Sequence, residues 1–401
     1  MIRKPFENDI CFVAPNAFPS LSGREDLVHI GGAERQQIAV ARELARTGLR
    51  VCFVTHDHGQ EDGSTFDGIR VFKTCARQAG LPVLRFIHPR WTGLWGAMNR
   101  ANAAAYYQRT AGAETGQAAF WCRRRNRPFI VSIASDRDCT PSMIARFSRR
   151  ERWLYLYGLR RADCVIAQTL RQKTLLHGNF AITARVIPSV ARSMPAPGTT
   201  VEHLQGDPWP QRVLWIGRFF AAKRIDRLFE VARCCSTVAF EVIGGDRRGA
   251  IDFCRMNLRL DSKDIPANIT FHGVVPDRAM SFHYASGSLL LCTSDYEGFP
   301  NTFLEAWTHG IPVVSTVDPD AVIQTHKLGI HARSVPEVCD AIQGMFHDRR
   351  AWELSSMNAR LYVERFHKLS TAADAYRQVL RELGVSRVIE STTEHAHVCH
   401  S

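Results

Sequence analysis

The sequence has no C-x-x-C pair, no apolar run near the ~18 residues of a membrane helix, and no G-x-G-x-x-G after its first strand-like segment. Each absence removes a class of function. The twelve cysteines stand singly apart from Cys234-Cys235, which argues against structural zinc and a disulfide framework and fits a reducing cytosol. The start, Met1-Ile-Arg-Lys-Pro-Phe-Glu-Asn-Asp9, lacks a secretory apolar region, so a cytoplasmic location is expected. Without the glycine motif a dinucleotide-dependent dehydrogenase is disfavoured. Zinc-finger spacing and aromatic RNA-binding strands are missing too, so no nucleic-acid partner is expected despite a net charge of +12.

What is present is a chain of 401 residues, more than one hydrophobic core usually supports, so two domains are expected. The apolar and charged fractions, 45% and 22%, are those of an ordinary globular protein. The charge is uneven: residues 1–205 hold 29 Lys+Arg against 16 Asp+Glu, and the remainder 22 against 23. Clusters such as Arg123-Arg-Arg-Asn-Arg127, Arg149-Arg150-Glu-Arg152 and Arg160-Arg161 therefore give the first half alone a basic surface. Such a surface leaves anionic lipid or a phosphorylated acceptor open as a partner.

Short apolar runs mark buried strands in the first half at 9–15, 50–55, 129–134, 160–169 and 184–188, and in the second at 213–217, 239–244, 268–273, 289–292 and 311–314. The Gly31-Gly32 pair opens a helix carrying Ile38, Ala41, Leu44 and Ala45, so backbone amides there could approach a phosphate. Trp91 to Arg127 is rich in aromatic residues, alanine and arginine and is predicted to be largely helical. Strand Phe129–Ala134 ends in Ser135-Asp136-Arg137-Asp138, where an aspartate serves equally well as a helix cap or as a hydroxyl ligand. Pro, Gly, Thr and Ser between Ser189 and Pro210 mark an interdomain linker.

The most informative stretch runs from Leu289 to Thr316: a strand, a loop, a short helix and a second strand, hence a parallel βαβ unit whose loop opens at the carboxyl edge of the sheet. That loop carries Glu297-Gly-Phe-Pro-Asn301. Thr302-Phe-Leu-Glu305 also fits a capping box, which would make Glu305 structural. Upstream, Arg218 and Lys223 flank a strand end and a helix start, where both cations can reach one anion.

Glu297-Gly-Phe-Pro-Asn-Thr-Phe-Leu-Glu305 resembles the E-x7-E signature of retaining, nucleotide-sugar-dependent glycosyltransferases of family four. Gly217-Arg218 with Lys223 resembles that family's diphosphate clamp, and Gly31-Gly32-Ala-Glu34 its G-G-x-E element. The resemblance implies an α/β fold of GT-B architecture, two Rossmann-like domains with mainly parallel sheets facing a central cleft. It places residues 1–192 in an acceptor-side domain, 193–210 in a linker and 211–368 in a nucleotide-sugar-binding domain. A helix over 369–385 would return to the first domain, and 386–401 would form a disordered tail. By analogy Glu297, Arg218, Lys223 and Asp136 are the catalytic candidates. Gly31, Gly32, Gly217, Gly298, Phe299, Pro300, Asn301 and Glu305 would hold the donor, and His272 would lie near its nucleobase. Family members often have histidine where this chain has Asp136, which leaves that role unfilled.

The implied reaction passes a sugar from a nucleotide sugar to a glycan or lipid-linked acceptor, as in surface polysaccharide or glycolipid synthesis. No cofactor is expected and no metal site: Asp318-Pro-Asp320 has the letters of a D-x-D motif but follows the donor loop. The location would be cytoplasmic, with an anionic membrane surface open as a peripheral site. A nucleotide-sugar epimerase of similar fold and a non-catalytic nucleotide-sugar binder are the alternatives. The tail Glu394-His-Ala-His-Val-Cys-His400 is read as disordered rather than as a metal site.

Overall fold

The computed structural model describes residues 5–24, 31–82, 84–191, 211–258 and 260–385. The expected linker and the His-rich tail lie outside them. The chain divides into two compact units. Unit 1 comprises Met1–Val190 with Leu369–Ser401, and unit 2 comprises Ala191–Lys368.

Unit 1 is built on strands β1 (Asn8–Val13), β2 (Val51–Thr55), β3 (Thr65–Phe66), β4 (Ile69–Lys73), β5 (Ala103–Arg109), β6 (Phe129–Ser132), β7 (Cys164–Ala167) and β8 (Arg185–Val186). They form one sheet in the order β3-β4-β2-β1-β5-β6-β7-β8, parallel throughout except for the β3–β4 hairpin. Parallel strands are covered on both faces, which is why the sequence shows them as continuous apolar runs. Asp67 and Gly68 both have positive φ, as a two-residue hairpin turn between β3 and β4 requires.

The segment 91–127 departs from the helical expectation. It holds a helix, Thr92–Ala101, then β5, then a second helix, Ala113–Arg125. β5 is fully buried and pairs with both β1 and β6, so Ala103-Ala-Ala-Tyr-Tyr107 forms part of the sheet's centre. Its two aromatic residues, Tyr106 and Tyr107, are both buried and pack in the core.

The Ala113–Arg125 and Arg149–Arg161 helices cross at two glycines. A Cβ on Gly116 would lie 2.4 Å from the Leu154 carbonyl oxygen, and one on Gly158 2.5 Å from that of Thr115. Only glycine lets the two backbones meet so closely. The last helix, Leu369–Glu382, buries Ala372, Ala373, Tyr376, Val379 and Leu380 in the same core as Ile10, Phe12, Ile38 and Leu44. Tyr376 and Tyr107 bring their hydroxyls to 3.3 Å.

Unit 2 holds β9 (Arg212–Ile216), β10 (Ala239–Ile243), β11 (Ile269–Phe271), β12 (Leu289–Cys292), β13 (Val313–Ser315) and β14 (Gly329–His331). The order is β11-β10-β9-β12-β13-β14, all parallel. β9 and β12 are neighbours in the middle. Their carboxyl ends, in chain positions far apart, thus open side by side, the usual ligand edge of such a sheet. The unit's two ends are joined where the Ala191 amide donates to the His367 carbonyl at 3.0 Å.

Candidate active site

After β9 the chain passes through Gly217 and exposed Arg218, and a 3-10 turn over Ala221–Lys223 brings the Lys223 stem back across Gly217. A Cβ on Gly217 would be 3.5 Å from Lys223 Cδ and Cε, so glycine leaves room for the lysine. From the end of β12 the loop supplies Glu297. Lys223 Nζ lies 2.5 Å from Glu297 Oε1, and Ser294 Oγ donates to the same oxygen at 2.7 Å. Both charged side chains are only 18% exposed. Burial pushes the Lys223 pKa down, but the adjacent Glu297 carboxylate outweighs it and holds the ammonium above its ordinary value.

The support is specific. Thr293 Oγ1 donates to the Lys223 carbonyl at 2.7 Å and accepts from Trp215 Nε1 at 2.9 Å, while the Asp295 amide donates to the Ala222 carbonyl at 2.9 Å. β9, its following turn and the β12 loop are therefore fastened into one body. Arg218 makes no hydrogen bond or ion pair among the described residues; its guanidinium lies 6.0 Å above the Phe220 ring.

Gly298 to Asn301 lead into the helix Asn301–Thr308. Phe299 is buried, with its ring against His367 and Trp307, and so anchors the loop to the core. The capping-box reading of Thr302 and Glu305 is corrected here. The helix starts two residues earlier than a Thr302 cap would place it, at Asn301, with Pro300 as N-cap and no side-chain cap. Proline suits this place because it ends the extended loop with a fixed φ. The Glu305 carboxylate instead accepts the Tyr284 hydroxyl at 2.7 Å, and Tyr284 stacks on His309. Asp318 accepts the Ile323 and Gln324 amides and is engaged as a turn cap.

Ser294, Thr293 and Tyr284 were missed by sequence reading. Ser294 could have been found, because a hydroxyl three residues before a loop glutamate can reach it. Tyr284 could not, since nothing in its helix links it to Glu305. His272 lies 3.4 Å from Glu241 and meets His283 edge-on, ring centroids 4.7 Å apart.

In unit 1, Gly31 is the extended N-cap of the helix Gly32–Arg46, and Glu34 folds back so closely that a Cβ on Gly31 would lie 2.4 Å from its Oε2. A carboxylate at that helix start complements the dipole. Asp136 is held by Arg171 Nε at 3.0 Å and Gln172 Nε2 at 3.2 Å, and so is tied to the Leu170–Phe180 helix. The N-cap at this strand end is Ser135, and Asp138 closes its capping box by accepting the Ala134 and Ser135 amides at 3.0 and 3.1 Å.

Two α/β units with mainly parallel sheets, and charged groups that converge at a strand edge of the second, define a class: two-unit α/β proteins with a polar ligand edge. Comparison narrows it. Residues 31–189 match the family model "Glycosyl transferase 4-like domain" and residues 210–348 match "Glycosyl transferases group 1". The chain belongs to the GT4-like glycosyltransferases of GT-B architecture. No curated protein sequence matches it. Among solved structures it is similar to sucrose-phosphate synthase from Thermosynechococcus elongatus, with 17% identity, 94% of this chain and 99% of that one covered, and a TM-score of 0.74. Anabaena Alr3699/HepE, solved with UDP and glucose, gives 18% identity, 94% and 100% coverage and a TM-score of 0.71. WaaG, a glycosyltransferase involved in lipopolysaccharide biosynthesis, gives 15%, 91% and 99%, and 0.64.

Proposed function

We propose that this glycosyltransferase moves a sugar from a nucleotide-sugar donor to an acceptor hydroxyl with retention at the anomeric carbon. The observation that carries the reading is the Lys223–Glu297 pair, which joins the cationic turn after β9 to the acidic loop after β12. Arg218 and Lys223 would face the donor diphosphate, Glu297 and the amides of Gly298 to Asn301 the transferred sugar, and Glu305 the ribose. As the bond from C1 to the phosphate oxygen breaks, charge grows on the leaving diphosphate, and fixed cations stabilise that state more than the ground state. The acceptor oxygen attacks C1 from the same face, its proton passes to the departing phosphate oxygen, and nucleoside diphosphate leaves. In this reading the two side chains rather than a metal meet the diphosphate charge. Asp136, held by Arg171 and Gln172, would act as a positioning residue.

HepE was solved with UDP and glucose, so UDP-glucose is the first donor to test. WaaG's part in lipopolysaccharide biosynthesis supports a surface polysaccharide or glycolipid product. Unit 1 also carries a patch suited to a membrane. Leu81, Leu84, Ile87 and Trp153 are 57–70% exposed, and the guanidinium of Arg150 lies 3.5 Å above Phe86 in their midst. We propose peripheral attachment to anionic lipid there.

The test is a donor panel scored by thermal shift and by product. R218A should lower turnover and weaken nucleoside diphosphate binding by about 1.5–3 kcal/mol. E305Q should keep its melting temperature and lose donor affinity. Unchanged kinetics in R218A and K223A would reject the clamp. Conversion of donor without acceptor would indicate an epimerase, and binding without turnover a non-catalytic binder.

A further inference from the structure

At the carboxyl edge of the unit 1 sheet lies a cavity of ≈ 260 Å³, lined among others by Glu34, His56, Arg77, Arg90, Arg109 and Glu114. Arg109, the last residue of β5, is only 7% exposed, its Nε is buried without a partner, and its guanidinium makes no ion pair or hydrogen bond among the described residues. Asp138 is near enough to feel this charge without pairing with it, and a buried cation with no direct partner is costly and rarely retained for stability. Around it Arg77 and Arg90 offset Glu34 and Glu114, so with Arg109 the cavity lining carries one net positive charge.

The backbone at this point is also held in place. Thr110 has φ +85, a region that a β-branched residue seldom enters. Gln108 Nε2 donates to the Arg109 and Thr110 carbonyls at 2.9 and 3.0 Å, and Thr115 Oγ1 donates to Gln108 Oε1 at 3.0 Å. Strain that is over-determined in this way clusters at binding sites. The volume falls below the ~300–1,000 Å³ of drug-sized sites, which suits one sugar residue better than a nucleotide.

We infer that this cavity binds an anionic sugar unit, one bearing a carboxylate or a phosphate, with Arg109 as its counter-ion. Glu34 and Glu114 are placed to accept from sugar hydroxyls. That this unit is the acceptor rests on the glycosyltransferase reading; the binding itself does not.

The full chain is tested by thermal shift with glucuronate, glucose 6-phosphate, neutral glucose, inorganic phosphate and UDP at matched ionic strength. Glucuronate or glucose 6-phosphate should raise the melting temperature where glucose does not. R109M should weaken that binding about tenfold to a hundredfold. It should melt no lower than the wild type without ligand, because a buried and unpaired guanidinium is gone, and it should keep the UDP shift. A response to inorganic phosphate as large as to either charged sugar would overturn the sugar assignment. Charged sugars that fail to bind wild type, or bind R109M equally, overturn the site. A lower melting point in R109M, with no loss of ligand, makes Arg109 structural. A missing UDP shift in wild type would count against the donor site instead, and leave the charged-sugar arms to decide this one.

Discussion

Asp138 shows how one residue couples local structure to pH. It closes the capping box of the turn after β6, and burial pushes its carboxyl from the ordinary 3.8 up to about 6, against the pull of the Ala134 and Ser135 amides. The folded state therefore holds this proton to a higher pH than the unfolded chain. Its contribution is fully present below about pH 4 and is lost as pH rises through about 6, at most about 3 kcal/mol, less where solvent reaches the group. D138N cannot titrate, so the wild-type minus D138N stability difference should fall across that window. Urea unfolding at a series of pH values checks this, and a flat difference refutes it. Residues of this kind were only half legible. An aspartate cap was expected after β6, but Ser135-Asp-Arg-Asp138 offers two carboxylates, and only folding decides that Asp138 turns in while Asp136 meets Arg171. Lys223 and Glu297 could be named from motif, yet their contact follows from β9 and β12 being neighbours, which no local pattern states.

At the scale of elements, the buried strands were readable because a parallel strand covered on both faces is a continuous apolar run. β5 was not, because three alanines carry high helix propensity and its burial, not its local preference, makes it a strand. The helices Ala113–Arg125 and Arg149–Arg161 bring together Phe120, Trp153 and Tyr157, with Phe120 and Tyr157 stacked at 4.0 Å. Arg123, Arg124, Arg125, Arg149, Arg150 and Arg152 are all exposed on these helices. Each arginine near an anionic leaflet contributes about 1 kcal/mol, and exposed Trp153 and Leu84 add apolar contact. Vesicles with anionic lipid should sediment the protein at low salt and release it at high salt, and W153S with L84S should weaken that capture. Equal binding to neutral vesicles, or none at all, would remove the membrane from the proposal. No helix among the described residues is long and apolar enough to cross a bilayer.

For the whole molecule, unit 1 is discontinuous. Its core takes Tyr376, Val379 and Leu380 from a helix that follows all of unit 2 in the chain. A fragment of residues 1–190 should therefore bind a hydrophobic dye and lack fixed aromatic packing. A peptide of residues 369–385 added in trans should restore near-ultraviolet circular dichroism and quench the dye. The fragment 191–368 should fold without help. A native-like spectrum for 1–190 alone would show the last helix to be dispensable.

The same discontinuity sets an order of birth. On the ribosome the eight-stranded sheet emerges first and must wait for its closing helix while unit 2 is made, a delay on the order of ten seconds or more at ~5–20 residues per second. During that interval the groove that Tyr376 will fill is open beside β1 and β5, apolar and unclaimed. The nascent chain thus offers chaperones a defined and transient target, and a stop codon anywhere before Leu369 would leave that target exposed for good.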